Sequence, residues 1–228
     1  MKPSIKILST KLLSEAEKLP LLSYDYTEKA FITISLKRDV LVEETIDYAV
    51  FTSQNAVKSV FNASKNNTKY FKKVFCVGHK TAQLLKTFNI ESSIVCLNAT
   101  ELAKALIEMV SSSSTITFFC GNLRRDELPN LLREHQIEVR ELEVYTTELN
   151  SMHMDETYDA VLFFSPSAVK SYVKSGNDVQ TLALCIGNTT AVAAIMEFEN
   201  VYVAETPTTE SVLELLSEVL PKVKRLDS

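Results

Sequence analysis

Six short stretches combine small, hydroxyl- or amide-bearing residues with the end of an apolar run. They are Thr52-Ser53-Gln54-Asn55, Gly78-His79-Lys80-Thr81, Cys120-Gly121-Asn122, Ser165-Pro166-Ser167, Gly187-Asn188-Thr189-Thr190 and Thr206-Pro207-Thr208-Thr209. Such residues at a helix start offer backbone N–H groups and hydroxyl donors, and the helix dipole adds partial positive charge there. The chemistry is anion binding. Ser, Thr and Asn in these positions also cap helices, each cap being worth about 1 kcal/mol. For any single corner, capping alone and capping with ligand binding both stand. Other chemistries lack their spacing. His79, His135 and His153 are scattered without metal-ligand intervals. Cys76, Cys96, Cys120 and Cys185 form no C-x-x-C pair, and each ends or interrupts an apolar run, so they read as buried reduced thiols. The chain has only four glycines, and Gly78, Gly121 and Gly187 directly follow apolar runs, where the backbone turns tightly or approaches a ligand. None builds a G-x-G-x-x-G or P-loop pattern, so dinucleotide and nucleoside triphosphate binding lack their signatures.

The elements that must position these corners repeat. "VFTSQNAVKSVF" (Val50–Phe61) and "FFSPSAVKSY" (Phe163–Tyr172) share an apolar run, a Ser and then Ala-Val-Lys-Ser. "CVGHKTA" at Cys76 returns as "CIGNTTA" at Cys185, and Thr100-Glu101 returns as Thr209-Glu210, both 109 positions on. A weaker pair sets "IKILST" at Ile5 against "ITFFCG" at Ile116. Ordered matches at nearly one offset mark a duplicated unit of about 110 residues and two similar domains. The runs "AVF", "VFCV", "SIVCL", "ITFFC", "DAVLFF", "LALCI" and "VYVA" are short and continuously apolar, as strands of a parallel sheet covered on both faces are. Between them the apolar spacing is helical: Ala56, Val57, Val60 and Phe61 form one stripe, and Ala168, Val169, Tyr172 and Val173 another. Each half is therefore α/β. Two segments alternate instead, Phe31–Lys37 and Val139–Glu148. Alternation is typical of half-exposed, antiparallel strands. They read as two strands crossing side by side between the domains, with residues 31–37 and 139–149 as linkers. The first domain is then discontinuous, 1–30 plus 150–228, and the second is an insert spanning 38–138.

In parallel α/β sheets ligands bind beyond the carboxyl ends of the strands, which is where all six corners fall. Two such sets would hold a large polyanion without many Lys or Arg. The rest of the chain fits an ordinary globular protein, with 46% hydrophobic and 23% charged residues. A formal net charge of −5 with no basic run argues against a nucleic-acid partner. No apolar run reaches the roughly 20 residues that span a bilayer, and "MKPSIKILST" has no long apolar core or small-residue cleavage site, so the expected location is the cytoplasm, without membrane association.

Taken in order, "VFTSQNAVKSVF", "CVGHKTAQLL", "FFCGNLRRDELPNLL" with "VYTTE", "VLFFSPSAVKSY", "CIGNTTAVAA" and "AETPTTESVLELL" resemble the uroporphyrinogen-III synthase family. The resemblance runs from about Tyr48 to Leu216. The corner Ser9-Thr10-Lys11 departs from the Thr-Arg corner of many bacterial members, which leaves its role open. The resemblance implies two HemD-like α/β domains with parallel sheets, joined by a two-stranded antiparallel ladder, with the active cleft between them. It implies closure of hydroxymethylbilane, a linear tetrapyrrole with eight carboxylates, to uroporphyrinogen III, with loss of water and inversion of ring D, as a cyclising hydro-lyase of haem biosynthesis. It also implies a monomer using no cofactor and no metal. Tyr145 matches the tyrosine implicated in the family, as a general acid for the departing hydroxyl; a linker tyrosine packed on a domain edge is the competing reading. The expected substrate-binding residues are Ser53, Asn55, Thr81, Asn122, Ser165, Ser167, Gly187, Thr189, Thr190 and Thr208. A cytosolic two-lobed binding or sensor protein without catalysis is the alternative function.

Overall fold

The computed structural model describes residues 5–40, 42, 44–63, 67, 70–111 and 113–223, with side chains to 221; the first four residues of the N-terminal stretch and the last five of the chain lie outside them. Its contacts divide the chain into two units, Met1–Thr33 with Glu148–Ser228, and Ile34–Thr147.

In the discontinuous unit the apolar runs become β1 (Lys6–Ser9), β9 (Ala160–Phe163), β10 (Leu182–Cys185) and β11 (Val201–Val203), joined at the edge by β2 (Asp25–Glu28). The order is β11-β10-β9-β1-β2, and every pairing is parallel. Continuous apolarity is explained by two cores. Ala160 and Leu162 face one way, against Val212, Leu213 and Leu216 of helix α8 (Thr209–Val223). Val161 and Phe163 face the other way, against Ala168, Val169 and Tyr172 of α6 (Pro166–Lys174) and Ala191 and Ala194 of α7 (Asn188–Ala194). Each large apolar side chain so buried contributes about 1.5–3 kcal/mol. The polar β2 carries no such pattern, and neither does the short capped helix α1 (Glu15–Lys18) before it.

The inserted unit repeats the plan. Its sheet takes β3 (Ile32–Leu36), β4 (Ile46–Phe51), β5 (Phe71–Val77), β6 (Ile94–Cys96), β7 (Thr115–Gly121) and β8 (Glu138–Leu149) in the order β3-β8-β7-β4-β5-β6. The pairings from β8 to β6 are parallel. One face packs on α2 (Gln54–Ala63) and α3 (His79–Thr87), with Phe51 and Phe119 stacked at 4.8 Å. The other packs on α4 (Ala99–Met109) and α5 (Glu127–Glu134). Both alternating segments are strands, β3 and β8, and the chain passes from one unit to the other within each of them. Ile34, on the alternating apolar set of β3, is 41% exposed and faces no core.

The duplication extends to buried polar contacts. The last serine of each Ala-Val-Lys-Ser is buried and bonds a segment that enters its unit. Ser59 Oγ reaches the carbonyls of Lys37 (2.8 Å) and Val144, and Ser171 Oγ donates to Asn150 O (2.8 Å). A buried asparagine then staples the next loop. Asn67 donates to Val40 O and Val60 O and accepts from Val42 N. Asn177 donates to Met152 O and Tyr172 O and accepts from Met154 N. Buried polar groups persist where their partners are supplied, and here both halves supply them alike. Among the described residues no helix is long and apolar enough to cross a membrane.

Candidate active site

Parallel strands end on one side, so the topology gathers the corners into two groups, one per unit. In the inserted unit Ser53, Thr81 and Asn122 follow the adjacent strands β4, β5 and β7, and Asn55 lies in the first turn of α2. In the discontinuous unit Ser165 and Ser167 follow β9, Gly187, Thr189 and Thr190 follow β10, and Thr208 follows β11, again on neighbouring strands.

Three of the seven hydroxyls also cap. Ser165 Oγ accepts from Ala168 N (3.1 Å) and lies 3.1 Å from Ser167 Oγ. Ser53 Oγ accepts from Asn55 N (3.1 Å), and Thr208 Oγ1 from Ser211 N (3.1 Å). Thr81 N and Thr190 N turn back onto the carbonyls of Gly78 (3.1 Å) and Gly187 (3.0 Å), while helix starts in general leave their earliest N–H groups without an intrahelical acceptor. Thr81 and Thr190, equivalent residues of the repeat, are 5% and 2% exposed, and their side chains are buried in the helix–sheet packing. Thr189 is exposed. Gly78 needs to be glycine, with φ of 85°; Gly187, at 178°, has extended backbone that any residue adopts.

Asn122 has a different occupation. Its Oδ1 accepts from Thr147 N (2.7 Å) and its Nδ2 donates to Thr147 O (3.2 Å), so the side chain extends the β7–β8 ladder past the end of β7. Between these strands Cys120 pairs with Glu143 and Gly121 with Tyr145, leaving Val144 as the extra residue of a bulge. The bulge sets Val144 and Tyr145 against the same core, on the α2 side of the sheet. Tyr145 is half-buried, and its ring lies on Gly121 at the carboxyl end of β7.

The corner beyond β1, Ser9-Thr10-Lys11, carries a cation whose role the sequence leaves open. Lys11 Nζ, beyond β1, donates to Thr209 Oγ1 (2.7 Å) and Glu17 Oε1 (3.1 Å) and stands 4.6 Å from the Phe164 ring centroid. Glu17 also accepts from Ser14 N (2.7 Å) and Ser14 Oγ (2.8 Å), closing the capping box of α1. Partial burial pushes the Glu17 carboxyl up, but the bonds from Ser14, Thr209 and Lys11 outweigh it and hold the pKa at about 2. The signal in the sequence was Ser14-x-x-Glu17, a capping-box spacing.

The cysteines carry no nucleophile. All four are free; Cys76, Cys120 and Cys185 are buried and Cys96 is half-buried. Burial pushes the Cys120 thiol to about 11 and Cys185 to about 12, so both stay protonated at neutral pH. Among the described residues no three His, Cys, Asp or Glu side chains form a group able to hold a metal ion. A cavity of about 620 Å³ opens at the opposite, amino edge of the inserted unit's sheet, and its wall of Glu44, Asp47 and Glu138 with the single Arg140 has the wrong charge for a polyanion.

The family model described as "Uroporphyrinogen-III synthase HemD" matches residues 15–214. The porphyrin biosynthesis protein HemD of Ruminiclostridium josui is 24% identical over 194 residues, covering 75% of this chain and 38% of that protein. The uroporphyrinogen-III synthase of Saccharomyces cerevisiae is 27% identical over 198 residues, covering 74% of this chain and 71% of that one. The chain thus spans well under half the length of the first relative and about seven-tenths of the second. Among solved structures, the Helicobacter pylori uroporphyrinogen-III synthetase covers 94% of this chain and 99% of its own at a TM-score of 0.67 and 18% identity. A mutant Thermus thermophilus uroporphyrinogen III synthase covers 96% and 100% at 0.72 and 19%. At these identities the structures speak to the shared α/β fold, while the family match, over most of the chain, speaks to descent. The chain belongs to the uroporphyrinogen-III synthase family.

Proposed function

We propose that this chain closes hydroxymethylbilane to uroporphyrinogen III, inverting ring D and releasing water. The observation that carries the reading is the extent of the family match, which spans every corner residue from Ser53 to Thr208 and Tyr145 between them. No observation favours a binding protein without catalysis. Hydroxymethylbilane loses its hydroxyl and cyclises unaided to the uninverted isomer, so the task is to redirect a reactive cation, which rests on preorganisation. The substrate carboxylates meet first-turn N–H groups and the exposed or half-exposed hydroxyls of Ser53, Ser165, Ser167, Thr189 and Thr208, with Asn55 beside them. This accounts for a polyanion held by a chain of formal charge −5. Thr81, Thr190, Gly187 and Asn122 shape the corners, their side chains being buried, absent or bonded to backbone. The partners in Lys37 N→Val144 O (3.0 Å) and Asn150 N→Phe31 O (2.9 Å) run in opposite order, which supports reading β3 and β8 as an antiparallel ladder linking the domains.

Tyr145 supplies the proton to the departing hydroxyl. Its phenolic O–H is a hydrogen-bond donor, and tyrosine is among the side chains that serve as general acids. Tyr145→Phe keeps the ring on Gly121 and removes the donor. Turnover should fall roughly 10- to 10³-fold with isomer III still formed, because general acid catalysis contributes about that much or somewhat more. Unchanged kinetics would remove Tyr145 from the mechanism.

A further inference from the structure

We propose that Gly121 is a positioning residue for Tyr145: its missing side chain is the seat on which the tyrosine ring rests. A methyl group at Gly121 would lie 2.5 Å from ring atoms Cε2 and Cζ and 2.9 Å from the hydroxyl oxygen, well inside contact distance. Glycine in a strand often marks such a close approach. The rest of the neighbourhood fixes the backbone around the ring. The bulge turns Tyr145 toward the α2 side, Ser59 holds the Val144 carbonyl just before it, and Asn122 holds both backbone groups of Thr147 just after it. With the main chain held on both flanks, ring placement depends on the surface below.

The duplication supplies an internal control. Aligning "IKILST" with "ITFFCG" sets Thr10 opposite Gly121. In its own unit Thr10 is buried, and its hydroxyl donates to Leu162 O (2.7 Å) on the next strand. A β-branched residue is thus accepted at the equivalent strand end. Gly121 also has no left-handed backbone that would require glycine. The ring of Tyr145 is what excludes a side chain there.

This inference rests on Tyr145 being the proton donor, and the test separates the two ideas. Gly121→Ala, Tyr145→Phe and the double variant are compared for kcat, KM and thermal stability. The clash falls on the far end of one side chain, so Gly121→Ala should fold, displacing the ring and lowering Tm by roughly 2–12 °C, the range for overpacking in a chain of this size. Its kcat should fall to within about threefold of the Tyr145→Phe value, with KM changed less than about threefold, since a misplaced donor loses transition-state stabilisation rather than binding. Added to Tyr145→Phe, the alanine should lower kcat no further than about twofold. Full kcat in Gly121→Ala while Tyr145→Phe is slow would overturn the positioning role. Full kcat in Tyr145→Phe would overturn the donor reading instead, and then a kcat loss in Gly121→Ala would have no link to Tyr145. A packing readout stands apart from activity: Gly121→Ala should cost stability beside Tyr145 and little or none beside Tyr145→Ala. Equal costs in both backgrounds would also overturn the proposal, including where Gly121→Ala alone is too unstable to assay.

Discussion

Replacing Glu17 with glutamine should cost stability that depends on pH in a defined direction. Glu17 joins three parts of its unit: the capping box of α1, Lys11 at the β1 corner and Thr209 at the start of α8. Its carboxyl ordinarily titrates near 4.5 and is held at about 2. A difference of that size corresponds to about 3 kcal/mol favouring the charged, folded form. The side chain keeps 19% of its surface in water, and solvent screening reduces this to about 1–2 kcal/mol. The folded-state pKa is depressed, so the contribution is complete above the unfolded value, from about pH 5 upward, and is lost as pH falls toward 2. Glutamine keeps one acceptor oxygen for Ser14 but presents an amide donor to Lys11. Urea unfolding of wild type and Glu17→Gln at several pH values should therefore show a gap of about 1–2 kcal/mol at pH 7 that narrows to less than half by about pH 3. A gap independent of pH would show that the carboxylate's charge is not what stabilises the corner. No gap at pH 7 would remove Glu17 from the account of this unit.

Two further substitutions probe the corners. Thr189 is exposed in the first turn of α7, where Asp is favourable to the helix; Thr189→Asp should change stability by no more than about 0.5 kcal/mol yet raise KM at least roughly tenfold or abolish isomer III, through repulsion of substrate carboxylates. Wild-type activity would place the substrate elsewhere. Gly78→Ala should destabilise by about 1–3 kcal/mol in urea unfolding, because φ of 85° strains any L-residue while space for the methyl is ample. Gly187→Ala, on extended backbone with its nearest atom at 3.9 Å, should stay within about 0.5 kcal/mol, and equal losses at both glycines would refute the conformational argument.

What could be read from sequence follows from what each feature costs to hide. Continuously apolar runs such as "DAVLFF" cannot sit at a surface, and they became strands with a core on each face. The Ala-Val-Lys-Ser repeat likewise marks α2 and α6, but the role of its last serine is not legible from residue type. The serines that begin these helices stand out by type, whereas Ser59 and Ser171, six residues on, are buried and bond the incoming segments. A serine on an apolar helical stripe gives no sign of its acceptor, because that acceptor is a backbone carbonyl distant in sequence. The Asn67 and Asn177 staples were hidden for the same reason. The edge strand β2 has only "DYTE", with no pattern for periodicity to find. At the corners, residue types alone did not separate exposed Thr189 from buried Thr190, since adjacent positions on a helix differ by direction rather than by composition. The fit of Tyr145 to Gly121 depends on a one-residue bulge that no alternation pattern announces.

The central claim is tested most directly by the isomer formed from hydroxymethylbilane. Fresh substrate is divided between buffer alone and rising concentrations of the purified chain, and the products are oxidised and separated as type I and type III porphyrins. The type III fraction should climb from a trace in buffer toward the whole product, because enzymatic closure outruns spontaneous cyclisation. A product that remains type I at every protein concentration, with the protein folded throughout, would contradict the account.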